Sequence, residues 1–337
     1  MTFVKQLARK VIFPSMMGLR FDRLIRNTAD DCVLNVMYHG VVQNDSQYFS
    51  PRHITKEQFE AQLQYFKKHF NVLSIPETFH QIRNTIKPNR KSITISFDDG
   101  FKNNLYSALP LLEKYDVPAT VFVLGSCAEK NETSWVWSAF TRALHFFHPN
   151  SSIALGPFRF VNQYDNDHQI TLENYIKSLD FDEREHILSI LNKTFGLEKL
   201  IKSLPEEIWK LLSKEELIEL SRSKHIQIGS HGYHHYNLGN IKLEHAKIEL
   251  ERSKNLLETT IGQEINMIAY PDGSYSREVK ELAEKVGYKY QLAVDYKTPN
   301  DNNDPRILNR HGLSTTTTFD SNMIMLNLAF RKKGIRI

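Results

Sequence analysis

Asp98 and Asp99 stand side by side at the end of an alternating stretch, Ser92-Ile93-Thr94-Ile95-Ser96-Phe97, and are followed by Gly100. Successive side chains of a strand point to opposite faces, so the two carboxylates should diverge, one to bind a cation and the other to handle a proton. Far along the chain, His231, His234 and His235 crowd the end of a second strand, His225 to Ser230. His231 and His235 are four residues apart, a spacing that allows two neutral imidazoles on one cation, whereas His234 should point away. One carboxylate and two histidines leave an open position, the arrangement with which a catalytic metal activates water. His39 follows a further strand and has the ordinary pKa of a general acid near neutrality. The turn Tyr270-Pro271-Asp272-Gly273 offers backbone N–H groups to a developing oxyanion. Taken singly, each motif has a structural reading as a turn, a cap or a packed histidine. Together they suit hydrolysis of an amide, which needs an activated water, charge stabilisation on oxygen and a proton for the departing nitrogen.

The elements that must position these groups alternate. Strands are expected at Cys32–Tyr38, Val72–Ile75, Lys91–Phe97, Ala119–Leu124, His225–Ser230, Asn266–Tyr270 and Tyr290–Val294. Helices fall between them, with Thr55 and Gln58 as a capping box, Pro76 in a first turn, and Gly262 and Gly287 as stops. Repeated strand-then-helix units imply parallel strands joined by right-handed crossovers, with chemistry at their carboxyl ends. The rhythm breaks between about Lys130 and Lys224, where Trp135, Trp137, helical patterns at 172–195 and a capping box at Ser213 and Glu216 suggest a mainly helical insertion. The two tryptophans either line a sugar surface or simply pack.

The 337 residues are 41% hydrophobic and 24% charged, enough for a large core and unlike a disordered chain. Two cysteines, Cys32 and Cys127, make neither a disulfide framework nor a paired-cysteine zinc site. No apolar run is long enough to span a bilayer. Residues 1–27 carry Lys5, Arg9, Lys10, Arg20, Arg23 and Arg26 against Asp22, a net +5, and the tail 331–337 carries +4. The body is therefore acidic, and the overall +4 describes two basic ends rather than a nucleic-acid groove. Phe3, Val4, Leu7, Ala8, Val11 and Ile12 recur at helical spacing opposite Lys5, Gln6, Arg9 and Lys10. This basic amphipathic segment suits an anionic membrane surface, packing on its own domain, or, less well, a secretion signal, because Pro14 interrupts the apolar run. The organisation expected is a basic segment at 1–27, a catalytic body at 28–330 with the insertion at about 131–212, and a basic tail at 331–337. The expected location is the cytoplasm, peripherally at the inner membrane face, with export the weaker alternative.

On these motifs the chain resembles the polysaccharide deacetylase family, carbohydrate esterase family 4, whose domain is called the NodB-homology domain. Thr94-Ile95-Ser96-Phe97-Asp98-Asp99-Gly100 is similar to its first motif, Ser230-His231-Gly232-Tyr233-His234-His235 to its second and Tyr270-Pro271-Asp272-Gly273 to its third. Tyr38-His39 resembles the N-terminal histidine of the circularly permuted branch, which includes deacetylases of exported poly-N-acetylglucosamine. The resemblance implies an α/β fold, a distorted (β/α) barrel of the seven-stranded NodB type. It implies Asp98 as general base, Asp99, His231 and His235 as ligands of a divalent metal, usually zinc, and His39 as catalytic acid. The arginine that usually opens the third motif is Ala269 here, and Arg310 is the expected substitute for orienting the base. The implied activity is removal of an N-acetyl group from an amino sugar in a polysaccharide or a lipid-linked saccharide. The alternatives are an imide or ureide hydrolase on the same fold, or a non-catalytic carbohydrate-binding protein.

Overall fold

The structure is a computed structural model that describes residues 12–28, 31–44, 49–129, 135–313 and 315–335. Most of the expected amphipathic segment, residues 1–11, and the last two residues of the tail lie outside the described residues.

Parallel strands dominate. The main sheet runs in the spatial order Ile307–Asn309, Tyr290–Ala293, Met267–Ala269, Ile226–Ser230, Ala119–Val123, Ser92–Phe97, Val33–Tyr38 and His311–Gly312, with Asn71–Val72 also paired to Ser92–Phe97. Seven of these strands have three or more residues and two have only two, in keeping with the distorted seven-stranded barrel expected. The two ends of the path are almost contiguous in sequence. Asn309 pairs with Ala293, His311 pairs with Val36, and Arg310 sits between them, so the chain nearly closes the barrel at Arg310. The Asn35 amide donates to the Asn309 carbonyl across this seam at 3.0 Å, and Thr94 donates to Asn35 at 2.6 Å.

All six residues of Ser92–Phe97 are buried. Its alternation therefore separates hydrocarbon from polar groups rather than core from solvent: Ile93, Ile95 and Phe97 join the core cluster, while Ser96 donates to the Val36 carbonyl. The helix Lys56–His69 begins as expected at Thr55, whose hydroxyl accepts from the Gln58 N–H, but Gln58 does not reciprocate. Among the described residues, reciprocal boxes lie at Ser74–Glu77, Asp180–Glu183, Ser213–Glu216 and Thr298–Asp301.

The insertion is helical over Ser138–Phe147, Leu172–Ser178, Phe181–Phe195 and Leu197–Lys202, but it also contains an antiparallel four-stranded sheet between Ser152 and Thr171. Two tight turns make that sheet. Gly156-Pro157 joins Leu155 to Phe158, and Asn162-Gln163, both with positive φ, joins Val161 to Tyr164.

Both basic ends pack on the barrel where they are described. Asp22 is buried, pairs with Arg26 at 3.3 Å and accepts from the Tyr65 hydroxyl at 3.0 Å, while Asn327 donates to that hydroxyl. The expected tail begins as the last turn of the helix Phe319–Lys333, where Arg331, Lys332 and Lys333 suit the negative end of the helix dipole. Lys333 reaches under the seam, donating to the carbonyls of Val294 and Arg310 and pairing with Asp295 at 2.6 Å.

Candidate active site

Five strand ends bring chemistry to one rim: Tyr38, Phe97, Ser230, Ala269 and Asn309 are each followed by a candidate group. The Asp98 N–H continues the ladder by donating to the Tyr38 carbonyl at 3.0 Å. The backbone then turns left-handed at Asp99 (φ 73°) and Gly100 (φ 76°), which sends the two carboxylates to different partners. A side chain at Gly100 would meet Val123 at 2.9 Å, so glycine is required there on two counts.

Asp98 faces Arg310. The guanidinium donates to both carboxylate oxygens, at 2.6 and 2.9 Å, and is fully buried beside the Phe122 ring. Burial alone would raise the Asp98 pKa, but Arg310 outweighs it and holds the carboxyl below its ordinary value. Asp98 is thus an ionised, fixed acceptor with both oxygens held by Arg310, the residue expected to orient it.

Asp99 faces the histidines. Its Oδ1 lies 3.4 Å from His231 Nε2 and 3.3 Å from His235 Nε2, and ligating atoms of the three side chains all fall within 4.8 Å of one another. All three residues are buried. Nevertheless Asp99 Oδ1 has no hydrogen bond, an expensive state for a buried carboxylate oxygen. His231 Nδ1 donates to the Ala269 carbonyl at 2.7 Å, which fixes the tautomer with the Nε2 lone pair toward Asp99. Burial opposes ionisation of both groups. The histidines nonetheless hold the Asp99 pKa well below its usual value, and Asp98 and Asp99 hold that of His231 above its own. An orphaned oxygen facing two imidazole nitrogens, in an acidic pocket, fits a divalent cation on Asp99, His231 and His235.

The loop carrying the histidines is clamped from both sides. Below it, buried Glu249 accepts from the N–H groups of Tyr233 and His234 at 2.9 Å each and takes the His234 ring at 3.1 Å, so His234 diverges from the pair. Above it, Arg184 of the insertion donates to the carbonyls of His234 and His235 at 3.0 and 3.1 Å, and the Trp137 indole donates to the His235 carbonyl at 3.2 Å. These contacts hold His235 at φ 60°, a conformation costly for a non-glycine residue. Trp137 is therefore a buried packing and hydrogen-bonding residue, and Trp135, half-buried, packs on Trp209. The sequence reading missed Glu249 and Arg184. For Glu249 a signal existed, because it falls on the helical stripe of Ala246, Leu250, Ser253 and Leu257, all buried.

His39 is half-buried at the rim, and Asn104 donates to its carbonyl at 2.9 Å. Burial is the main cause that lowers its pKa from 6.5 to about 4, against Asp99 and Asp98, which raise it. The ring is neutral at pH 7, not charged as its ordinary pKa near neutrality had allowed.

The turn 270–273 departs from expectation more strongly. The Tyr270 N–H donates to Leu292 and that of Gly273 to the Tyr270 carbonyl, Pro271 has none, and the buried Tyr270 hydroxyl donates to Gln291. Of the four residues proposed for an oxyanion, Asp272, at φ 52°, is the one whose N–H neither the strand pairing nor the Gly273 turn uses. Burial would raise the Asp272 carboxyl, but His235 and then Lys177, 3.4 Å away, hold its pKa below the ordinary value.

Comparison with known proteins agrees with this arrangement. The family model described as polysaccharide deacetylase matches residues 85–291, more than half of the chain. Poly-beta-1,6-N-acetyl-D-glucosamine N-deacetylase of Staphylococcus aureus is 23% identical over 261 residues, covering 76% of this chain and 67% of that one. YxkH of Bacillus subtilis is 22% identical over 261 residues, and the match spans 77% of this chain but only 63% of the relative's length. Among solved structures, the Streptococcus pyogenes deacetylase PplD in complex with acetate superposes with a TM-score of 0.53 at 16% identity, covering 88% of this chain and 98% of that one, a likeness of fold. The near-closed parallel barrel, the motifs at its rim and the match across residues 85–291 together show that the chain belongs to the polysaccharide deacetylase family.

Proposed function

We propose that the chain is a divalent-metal-dependent hydrolase that removes an N-acetyl group from an amino sugar within a polysaccharide or a lipid-linked saccharide. The observation that carries this reading is the unpaired, buried Asp99 Oδ1 between two imidazole nitrogens, beside an Asp98 whose carboxylate is held ionised by Arg310. Asp99, His231 and His235 would hold the cation, for which the mixed nitrogen and oxygen donor set favours zinc. Bound there, such an ion would supply Lewis acidity toward the acyl carbonyl and toward water.

The chain's own residues supply the remaining chemistry. Asp98 takes the proton of the attacking water, and Arg310 keeps the carboxylate ionised and aimed. The Asp272 N–H faces the negative charge that develops on the acyl oxygen. His39, neutral at rest, gains affinity for a proton as that charge appears, takes up the proton that Asp98 drew from the water and passes it to the departing nitrogen, so that both side chains end as they began. Water and the amide are consumed, and acetate and a free amino sugar are formed.

The decisive experiment incubates zinc-loaded protein with N-acetylglucosamine oligomers and with a lipid-linked acetamido sugar and measures acetate. Release by the wild type, abolished in Asp98→Asn with the metal retained, supports the reading; no acyl release from the panel at full metal occupancy overturns it. For location, exposed Leu19, Phe21 and Leu24 beside exposed Arg20 and Arg23 support peripheral docking on an anionic membrane face. No helix among the described residues is long and apolar enough to cross a membrane. Pelleting with anionic but not neutral vesicles tests the docking.

A further inference from the structure

Arg142, on the insertion helix Ser138–Phe147, has no hydrogen bond and no ion pair with any described residue, and its Nε is buried without a partner. The side chain is half-buried, and burial first and Arg52 second lower its pKa to about 10, against Asp99 and Glu173, which raise it. Arg142 lines a cavity of about 500 Å³ with Phe49, Thr141, Tyr164, Thr171 and Glu173. Glu173 is the carboxylate of that wall, and it is already shared: Lys177 lies 3.0 Å from it and Arg52 3.9 Å. Lys177 in turn reaches Asp272. Two cations from outside the lining thus engage the cavity's one carboxylate, and Arg142, on the lining itself, is left without an ion pair.

The cavity lies within electrostatic reach of the reaction centre. Asp99 acts on Arg142 electrostatically, as it does on His53 and Asp272. His53 pairs through the short strand register with Gly40, next to His39, and it is 2% exposed with both ring nitrogens lacking hydrogen bonds. Arg142 is the strongest charged influence on its ring. A second buried polar side chain without a hydrogen bond thus lies beside the His39 segment and within reach of the Arg142 charge.

We infer that this cavity is an anion-recognising subsite, and that the substrate carries an acidic group, a carboxylate or a phosphate, close to the acylated sugar. The inference rests on the deacetylase reading for the reaction and adds the substrate class. It also gives the insertion a task, because Arg142, Glu173 and Lys177 all belong to it: the barrel supplies the reaction and the insertion selects what reaches it.

The test uses the zinc-loaded full chain and three probes: a neutral N-acetylglucosamine oligomer, the same oligomer with a terminal carboxylate, and the same oligomer with a terminal phosphate. One acidic oligomer should be preferred in kcat/KM by about 10- to 100-fold, the scale of a charge-assisted hydrogen bond. The arm that shows the preference identifies the acid. Arg142→Gln should bring the ratio close to one, and Arg142→Lys should recover part of it. Arg142→Gln should also leave the thermal midpoint unchanged, since the side chain makes no hydrogen bond or ion pair with any described residue; a merely structural arginine would lower it. A wild-type ratio near one for both acids, or a ratio that survives Arg142→Gln, overturns the inference. If no oligomer is hydrolysed, the deacetylase reading fails separately, and titration of inorganic phosphate and D-glucuronate into wild type and Arg142→Gln decides the subsite. Binding at the metal is common to both proteins, so tighter binding by the wild type sustains the subsite and equal binding removes it.

Discussion

Two clusters of buried charge in this molecule look alike in composition and differ in how completely they are satisfied. In one, Lys280 donates to Asp301 at 2.5 Å and lies 2.8 Å from Asp304, while Asp301 also accepts from the Tyr275 hydroxyl at 2.6 Å and the Thr298 N–H at 2.8 Å. No oxygen of Asp301 is left over, and the cluster ties the helix Arg277–Val286 to the segment that leads into Ile307–Asn309. In the other, Asp98 is equally saturated by Arg310, but Asp99 Oδ1 faces two imidazoles without a hydrogen bond. A saturated cluster is finished as a piece of structure, whereas an unsaturated one is stable only because the surrounding fold enforces it and gains from a ligand. The unsatisfied atom, more than the presence of charge, marks the functional site.

The largest effect that tests this contrast is on turnover. Asp98→Asn should lower kcat by about 10²- to 10⁴-fold, the range of a lost general base, with unchanged metal content by elemental analysis; retained activity would break the assignment of the base. Next in size, Lys280→Met should cost about 3 kcal/mol in denaturant unfolding, because it strands buried Asp301, yet leave metal binding and kcat per folded molecule unaltered. If that variant loses metal instead, the two clusters are coupled and the contrast fails. Zinc at a hundredfold excess over its Kd should stabilise the wild type by about 2.7 kcal/mol and Asp99→Ala not at all. Equal stabilisation of both proteins would move the metal elsewhere.

The smallest and most diagnostic effects are on pH dependence in metal-free protein. His39 and His311 titrate at about 4 in the folded chain against an ordinary 6.5, in each case through burial first. The unfolded chain then binds more protons, so their contribution is complete above pH 6.5 and lost as pH falls toward 4. Asp301 titrates at about 2 against 3.8, so its contribution is present above 3.8 and lost as pH falls toward 2. Asp301→Asn should erase the second decline and keep the first, as read from unfolding midpoints across pH. A single decline that Asp301→Asn removes entirely would contradict both assignments.

Much of the reaction centre was legible before any coordinates. Asp98-Asp99-Gly100 and His231-x-x-x-His235 are local patterns, and alternation of strand and helix dictates that strand ends share a rim, so the ligating set follows from spacing and topology together. The spacing alone left open which of the two carboxylates faces the histidines, and the resemblance named Asp99; the left-handed backbone at Asp99 is what turns that side chain to them and leaves Asp98 to Arg310. The turn 270–273 looked like an anion site by composition, but a backbone N–H is available only if the fold does not use it, and here strand pairing and a tight turn consume two of them. Glu249 and Arg184 were overlooked because they hold the backbone of the histidine loop rather than the metal, and a side chain that serves a carbonyl leaves no motif.

Local spacing thus determined the kinds of groups, their order along the chain and the strand ends that carry them. Tertiary structure decided the rest. Arg310 reaches Asp98 across 212 residues of sequence only because the barrel nearly closes between Asn309 and His311, and Arg142 comes within electrostatic range of His53, Arg52 and Asp99, without an ion pair of its own, only because the insertion folds onto that side of the barrel. Short-range patterns are set by the geometry of a few consecutive residues, while the pairing or stranding of a buried charge depends on every element that reaches it, which only the closed fold specifies.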